Sequence, residues 1–182
     1  MKKIALLTAL LLVFITGRAA ETTTDSDYQS AWNHFVWGAE VGGGIDMTSK
    51  DMSTVNLDAY FGYRNSWINI LGVGAEVNMM VSNSVRAFPV YAIFRTGFRS
   101  RPTLLFMDLR GGVVFNNLND SRQQTRAYVS PGIGVNLATG RTFRSYLTLS
   151  YVYNGLKPFT KGDEYCDING LSMACLRIGI NF

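Results

Sequence analysis

Cysteine and histidine are scarce in this chain, and long apolar runs are scarcer still. Its 182 residues include 2 Cys and 1 His. Beyond the N-terminal segment no run of about 18 uninterrupted apolar residues occurs, which excludes a transmembrane helix. The lone histidine, His34, opens the first alternating segment. A Ser–His–acid hydrolase needs its imidazole beside a nucleophile, so His34 is read as a solvated residue at a rim. A usable excess of positive charge is missing too. The 17 Lys+Arg outnumber the 13 Asp+Glu, but Lys2, Lys3 and Arg18 lie at the N-terminus. From residue 20 onward 14 basic residues face 13 acidic ones, a net charge of +1. Phosphate binding needs a basic face, so no nucleic-acid partner is expected.

The N-terminus itself reads MKKIALLTALLLVFITGRAA. Lys2 and Lys3 precede a short apolar core, Ile4 to Thr16, and small residues at Gly17 and Ala19 follow. This pattern predicts a secretory signal over residues 1–19, its core too short to cross a bilayer of about 30 Å. No Cys follows the cleavage site, so a lipid anchor is not expected. Residues 20–33 are polar and read as a flexible lead-in, leaving 34–182 as one domain. With 18 Gly, 11 Phe, 9 Tyr and 3 Trp, the composition fits a β protein rich in turns.

From His34 the sequence alternates in eight segments separated by turn residues: 34–45, 53–64, 67–81, 86–98, 103–116, 125–137, 144–154 and 169–182. Sorting by parity places the charges on one face. Glu40 opposes Phe35, Trp37, Ala39 and Val41, and Asp58 opposes Leu57, Ala59, Phe61 and Tyr63. Glu76 opposes Leu71, Val73 and Val77; Arg95 opposes Val90, Ala92 and Phe94. Asp108 and Arg110 oppose Leu105, Met107 and Leu109, and Arg177 opposes Leu176, Ile178 and Ile180. Of the 18 glycines, 11 share the charged parity, among them Gly44, Gly62, Gly72 and Gly134.

A face both charged and glycine-rich suits the inside of a narrow closed barrel, where small residues leave room for long arginines. The other face is a band of aliphatics and aromatics suited to lipid. Phe35, Trp37, Phe61, Tyr63, Trp67, Phe98, Phe143 and Phe182 gather near one end of that band, as an interfacial girdle would. A soluble barrel with the opposite polarity is the competing reading, and it does not explain that clustering. The expected fold is all-β: an eight-stranded antiparallel up-and-down transmembrane β-barrel. Short connections are expected at one end and longer ones at the other, with the second odd connection, near Ser82, a short exception. Arg64, Arg99, Arg101, Arg141 and Arg144 fall in or beside the short turns. Pro89 and Pro131 lie inside strands and should mark a bulge or a missing ladder bond.

With the signal, the alternating strands and the terminal segment LRIGINF, the chain resembles the bacterial outer-membrane β-barrel proteins, specifically small eight-stranded barrels of the OmpA/OmpX type. The stretch FPVYAIFRTGF, Phe88 to Phe98, is similar to the Pro-Val-Tyr…Arg strand of the outer membrane protein beta-barrel domain family. The resemblance implies the bacterial outer membrane as location, with outer-membrane lipid as its surroundings. It also implies that Phe182 is part of a C-terminal signal read by the barrel-assembly machinery. A monomer is expected.

Candidate chemistry is sparse. Gly72-Val73-Gly74 and Gly132-Ile133-Gly134 do not extend to a dinucleotide fingerprint and are read as wall glycines. Asp163, Glu164 and Asp167 lack EF-hand spacing and are read as a solvated loop. Cys166 and Cys175 could form a disulfide in an oxidising compartment if their Cα atoms come within about 7 Å. No cofactor, metal or enzymatic activity is expected. The site of interest is the lumen charge network: Glu40, Asp58, Glu76 and Asp108 against Arg95, Arg110, Arg126 and Arg177. Strand adjacency pairs Glu40 with Arg177 and Arg95 with Asp108, and places Glu76 within reach of Arg110. The expected role is structural or interactive, through extracellular loops over a packed, charge-paired lumen. A narrow porin-like channel for small solutes or ions is the alternative.

Overall fold

The computed structural model describes residues 34–48, 52–65, 68–81, 86–98, 104–117, 124–140, 142–161, 164–167 and 170–182. The expected signal and lead-in, and Trp67, Arg99, Arg101, Arg141 and Asp163, lie outside them. Among the described residues ten strands form: β1 (Phe35–Asp46), β2 (Thr54–Tyr63), β3 (Ile70–Met80), β4 (Arg86–Gly97), β5 (Leu105–Asn117), β6 (Gln124–Thr139), β7 (Arg144–Asn154), β8 (Phe159–Lys161), β9 (Glu164–Cys166) and β10 (Leu171–Asn181). Eight of them close in the order β1-β10-β7-β6-β5-β4-β3-β2. Every neighbouring pair is antiparallel, and β10 closes on β1 with Glu40 opposite Gly179. The up-and-down eight-stranded barrel read from the sequence is the fold. β8 and β9 add a small hairpin between β7 and β10, which the alternation does not announce.

The polarity is inverted throughout. In β2, TVNLDAYFGY, the inward positions are Thr54, Asn56, Asp58, Tyr60 and Gly62, and every intervening residue is exposed. Strands form because alternate residues suit two different surroundings, and a one-residue slip would bury the apolar set among charges. The exterior carries Phe35, Trp37, Leu57, Phe61, Val73, Leu109, Leu149 and Leu176, all strongly exposed. The lumen is layered. Val36, Ile70 and Phe106 are buried at the end where β1 starts, here the turn end. Met52, Met80, Leu171 and Met173 are buried at the opposite, loop end. The charges lie between.

Two features depart from the sequence expectation. The turn-end connections 64–69, 98–104 and 140–143 and the loop-end connections 47–53, 81–85 and 118–123 are of similar length, and only 155–170 is long. The length asymmetry therefore rests on one connection. Among the described residues the sole register shift falls between Asn136 and Ala138, away from both prolines. Beside the prolines the ladder is instead interrupted: β3–β4 pairing skips from Ala75↔Val90 to Asn78↔Ala87, and β6–β7 pairing from Val129↔Tyr153 to Gly132↔Ser150. Proline lacks the donor for a ladder bond, yet the register is unchanged across both gaps, so the parity survives.

Gly62 faces Gly72 across β2 and β3. A Cβ on Gly62 would come 2.8 Å from the Gly72 Cα. The obstacle is backbone and cannot rotate away.

Candidate functional site

Arg110 is the hub of the lumen. Its Nε donates to Asp108 Oδ1 at 2.8 Å, its Nη1 to Asp58 Oδ2 at 2.5 Å, and its Nη2 to Glu40 Oε2 at 2.7 Å. Arg95 lies beside it, donating through Nε and Nη2 to Asp108 Oδ2 at 2.8 and 2.6 Å and through Nη2 to Glu40 Oε1 at 2.9 Å. The side chains of this cluster are 0–3% exposed. Three carboxylates meet two guanidiniums, and tyrosine hydroxyls supply further donors. Tyr146 donates to Glu40 Oε1 at 2.6 Å and Tyr91 donates to Asp58. The Arg95 guanidinium also lies 4.3 Å from the Tyr146 ring centroid and 4.7 Å from that of Phe106, within cation–π range.

A second cluster lies nearer the loop end. Arg177 Nη2 donates to Glu76 Oε1 and Oε2 at 3.2 and 3.3 Å, and its Nη1 to Ser150 Oγ at 2.5 Å. Glu76 also accepts from Asn56 Nδ2 and Tyr128 Oη, each at 2.8 Å. This cluster is not fully satisfied. Arg177 Nε, Asn56 Oδ1 and both polar atoms of Asn78 are buried without a partner among the described residues.

The sequence pairing of Arg95 with Asp108 matches this geometry, and they are Cα partners on β4 and β5. Two other pairings do not. Glu40 is held by Arg95 and Arg110 rather than Arg177, and Arg177 rather than Arg110 takes Glu76. Long guanidiniums cross the lumen, so adjacency in the wall does not choose partners. Arg126 shares the lumen parity but is only half-buried, and its Nε has no partner among the described residues; it stands apart from both clusters. Sequence reasoning missed Tyr60, Tyr91, Tyr128 and Tyr146, although a hydroxyl-bearing aromatic on the charged parity was a readable signal.

Outside the lumen, Phe182 stacks on Trp37 with ring centroids 4.6 Å apart, and their backbones exchange hydrogen bonds of 2.9 and 3.3 Å. The exposed His34 stacks on Tyr63 at 5.2 Å, and its Nδ1 lies 3.1 Å from the Arg64 carbonyl. Asp167 is exposed. Cys175 is a buried free thiol, so the bridge to Cys166 weighed from the sequence is not formed in this structure; the Cys166 side chain lies outside the described residues. Among the described residues no three His, Cys, Asp or Glu side chains gather as a metal site.

No family model and no curated protein matches this chain. Solved structures do. The N-terminal β-barrel domain of Pseudomonas aeruginosa OprF is 18% identical with a TM-score of 0.48, over 81% of this chain and 97% of that one. Neisserial surface protein A is 13% identical with a TM-score of 0.48, over 81% and 94%. A de novo designed transmembrane β-barrel is 16% identical with a TM-score of 0.46, over 81% and 93%. The barrel assignment stands on the closed ladder of this chain itself.

Proposed function

We propose that the protein is an integral outer-membrane barrel with a plugged lumen, serving a structural or interaction role through its loop end. The observation that carries this reading is the cluster of Arg95 and Arg110 with Glu40, Asp58 and Asp108, whose side chains are 0–3% exposed. Eight strands leave an interior only wide enough for side chains to fill. A conducting path would have to break ion pairs that stand in for lost hydration. The exposed apolar exterior supports a hydrocarbon environment, because water would leave that surface unpaid for. Interaction is assigned to the loop end because the long connection 155–170, with its β8–β9 hairpin, lies there.

Two measurements test the two halves of the proposal. The protein should stay with the outer-membrane fraction after alkaline carbonate extraction, and its release as a soluble species would refute the membrane reading. Planar-bilayer recordings of refolded protein should show no steady open step. Steady, ion-selective steps that Glu76→Gln alters without loss of stability would replace the plug with a channel.

A further inference from the structure

Two buried apolar side chains at the loop end come from connections rather than from strands. Met52 is 2% exposed and Leu156 4% exposed, although Met52 precedes β2 and Leu156 follows β7. The backbone around each is pinned to the wall. Met52 N donates to Asp46 Oδ2 at 3.2 Å, and the Ser53 carbonyl accepts from Val81 N at 2.9 Å. Leu156 is bracketed on both sides. The Gly155 carbonyl accepts from Asn116 Nδ2 at 3.0 Å, Gly155 N donates to the Ala127 carbonyl at 2.9 Å, and Lys157 N donates to Gln124 Oε1 at 3.0 Å. Connections ordinarily run over the surface of a protein. These two turn an apolar residue into the mouth of the barrel.

Beneath them lies the incomplete cluster. Asn56 and Asn78 are Cα partners one inward position below Thr54 and Met80, themselves Cα partners. Asn56 Oδ1, both amide atoms of Asn78 and Arg177 Nε are buried with no partner among the described residues. An unsatisfied buried polar group carries its full desolvation cost, so this layer favours a state in which water reaches it. Burial of Met52 and Leu156 favours the opposite. The cluster around Arg110 holds no such conflict, because its guanidiniums and carboxylates bond to one another.

We propose that these two connections form a lid over the loop end of the lumen, held shut by Met52 and Leu156. The lid lifts to hydrate the Asn56–Asn78 layer while the Arg110 cluster stays closed. The inference rests on the plugged-lumen reading and divides it into a fixed plug below and a movable seal above. Local openings draw on the least stable part of a fold, and here that part is the layer whose polar groups gain partners on opening. Cys175 is a built-in reporter of the motion. It is 0% exposed, two residues along β10 from the buried Met173, and its Sγ lies 3.8 Å from Asn56 Nδ2. A reagent can meet it only when the loop end opens.

The test follows alkylation of Cys175 by iodoacetamide in refolded Cys166→Ser protein, read by mass spectrometry at fixed pH. This parent should react slowly, and rapid alkylation of it would show that no seal exists. Leu156→Ala should raise the rate by at least about 10-fold, because truncating an apolar contact shifts an opening equilibrium. Gln124→Ala removes only the acceptor for Lys157 N and should raise the rate by about 2-fold to 10-fold. Heat-modifiable gel mobility reports folding, and Gln124→Ala carries the test if Leu156→Ala does not fold. Ile70→Ala, a comparable truncation at the turn end, should leave the rate unchanged. Unchanged rates in both loop-end variants would overturn the lid. So would a matching rise in Ile70→Ala, which would mean loosening of the whole barrel. A conductance step in the wild type would instead refute the plug, and the ratio of loop-end to turn-end rates would still decide the lid.

Discussion

The two charge clusters of the lumen use the same kinds of side chain and reach different degrees of completion. Around Arg110, every guanidinium nitrogen of Arg95 and Arg110 has an acceptor, and all six carboxylate oxygens of Glu40, Asp58 and Asp108 accept a hydrogen bond. Around Arg177, its own Nε, Asn56 Oδ1 and both amide atoms of Asn78 have no partner among the described residues. Two arginines facing three acids and a ring of tyrosines can close a network. One arginine facing one acid among asparagines cannot. A satisfied buried network is rigid and specific, while a partly satisfied one is where strain, water or a ligand enters. The comparison makes the first cluster the more rigid of the two.

Arg110→Met should do the most damage, because it removes a partner from three buried carboxylates at once and takes the arginine from Asp58, while Arg95 still holds Glu40 and Asp108. A loss of about 3–5 kcal/mol is expected for breaking a buried pair, measured as a drop in the urea midpoint of the refolded barrel. Arg177→Met should cost less, on the order of 1–3 kcal/mol, because Glu76 keeps Asn56 and Tyr128. Equal losses for the two variants would erase the distinction between the clusters. A double-mutant cycle sharpens it further: Glu40→Gln with Arg110→Met should show a coupling of about 0.5–3 kcal/mol. Glu40→Gln with Arg177→Met should be close to additive, and strong coupling there would mean one network, not two. The smallest effect is expected for Thr148→Val. Its hydroxyl is buried with no partner among the described residues, so removing it should be neutral or slightly stabilising. A clear loss of stability would reveal an ordered water or ligand bound there.

Much of the fold was legible because a barrel wall makes each residue choose between two faces. Eight strands, their polarity and the inward placement of Glu40, Asp58, Glu76, Arg95, Asp108, Arg110 and Arg177 all follow from parity. The loop arrangement was less legible. Connection length is weakly constrained by loop-closure entropy, and only 155–170 proved long. The β8–β9 hairpin escaped because a strand of three residues, Phe159–Lys161, is too short to show a period. The gaps beside Pro89 and Pro131 followed from proline chemistry, whereas the bulge at Asn136 had no such marker.

The sequence by itself determined which side chains share the lumen, since strand alternation has a period of two and tolerates no drift. Tertiary structure decided who meets whom inside it. A guanidinium on a three-carbon stem spans the lumen, so Arg110 finds Glu40 and Asp58 across the barrel, while Arg177 reaches Glu76 as well as Ser150 on the neighbouring β7. Wall positions obey a local rule, whereas lumen contacts depend on the shear and closure of the whole barrel.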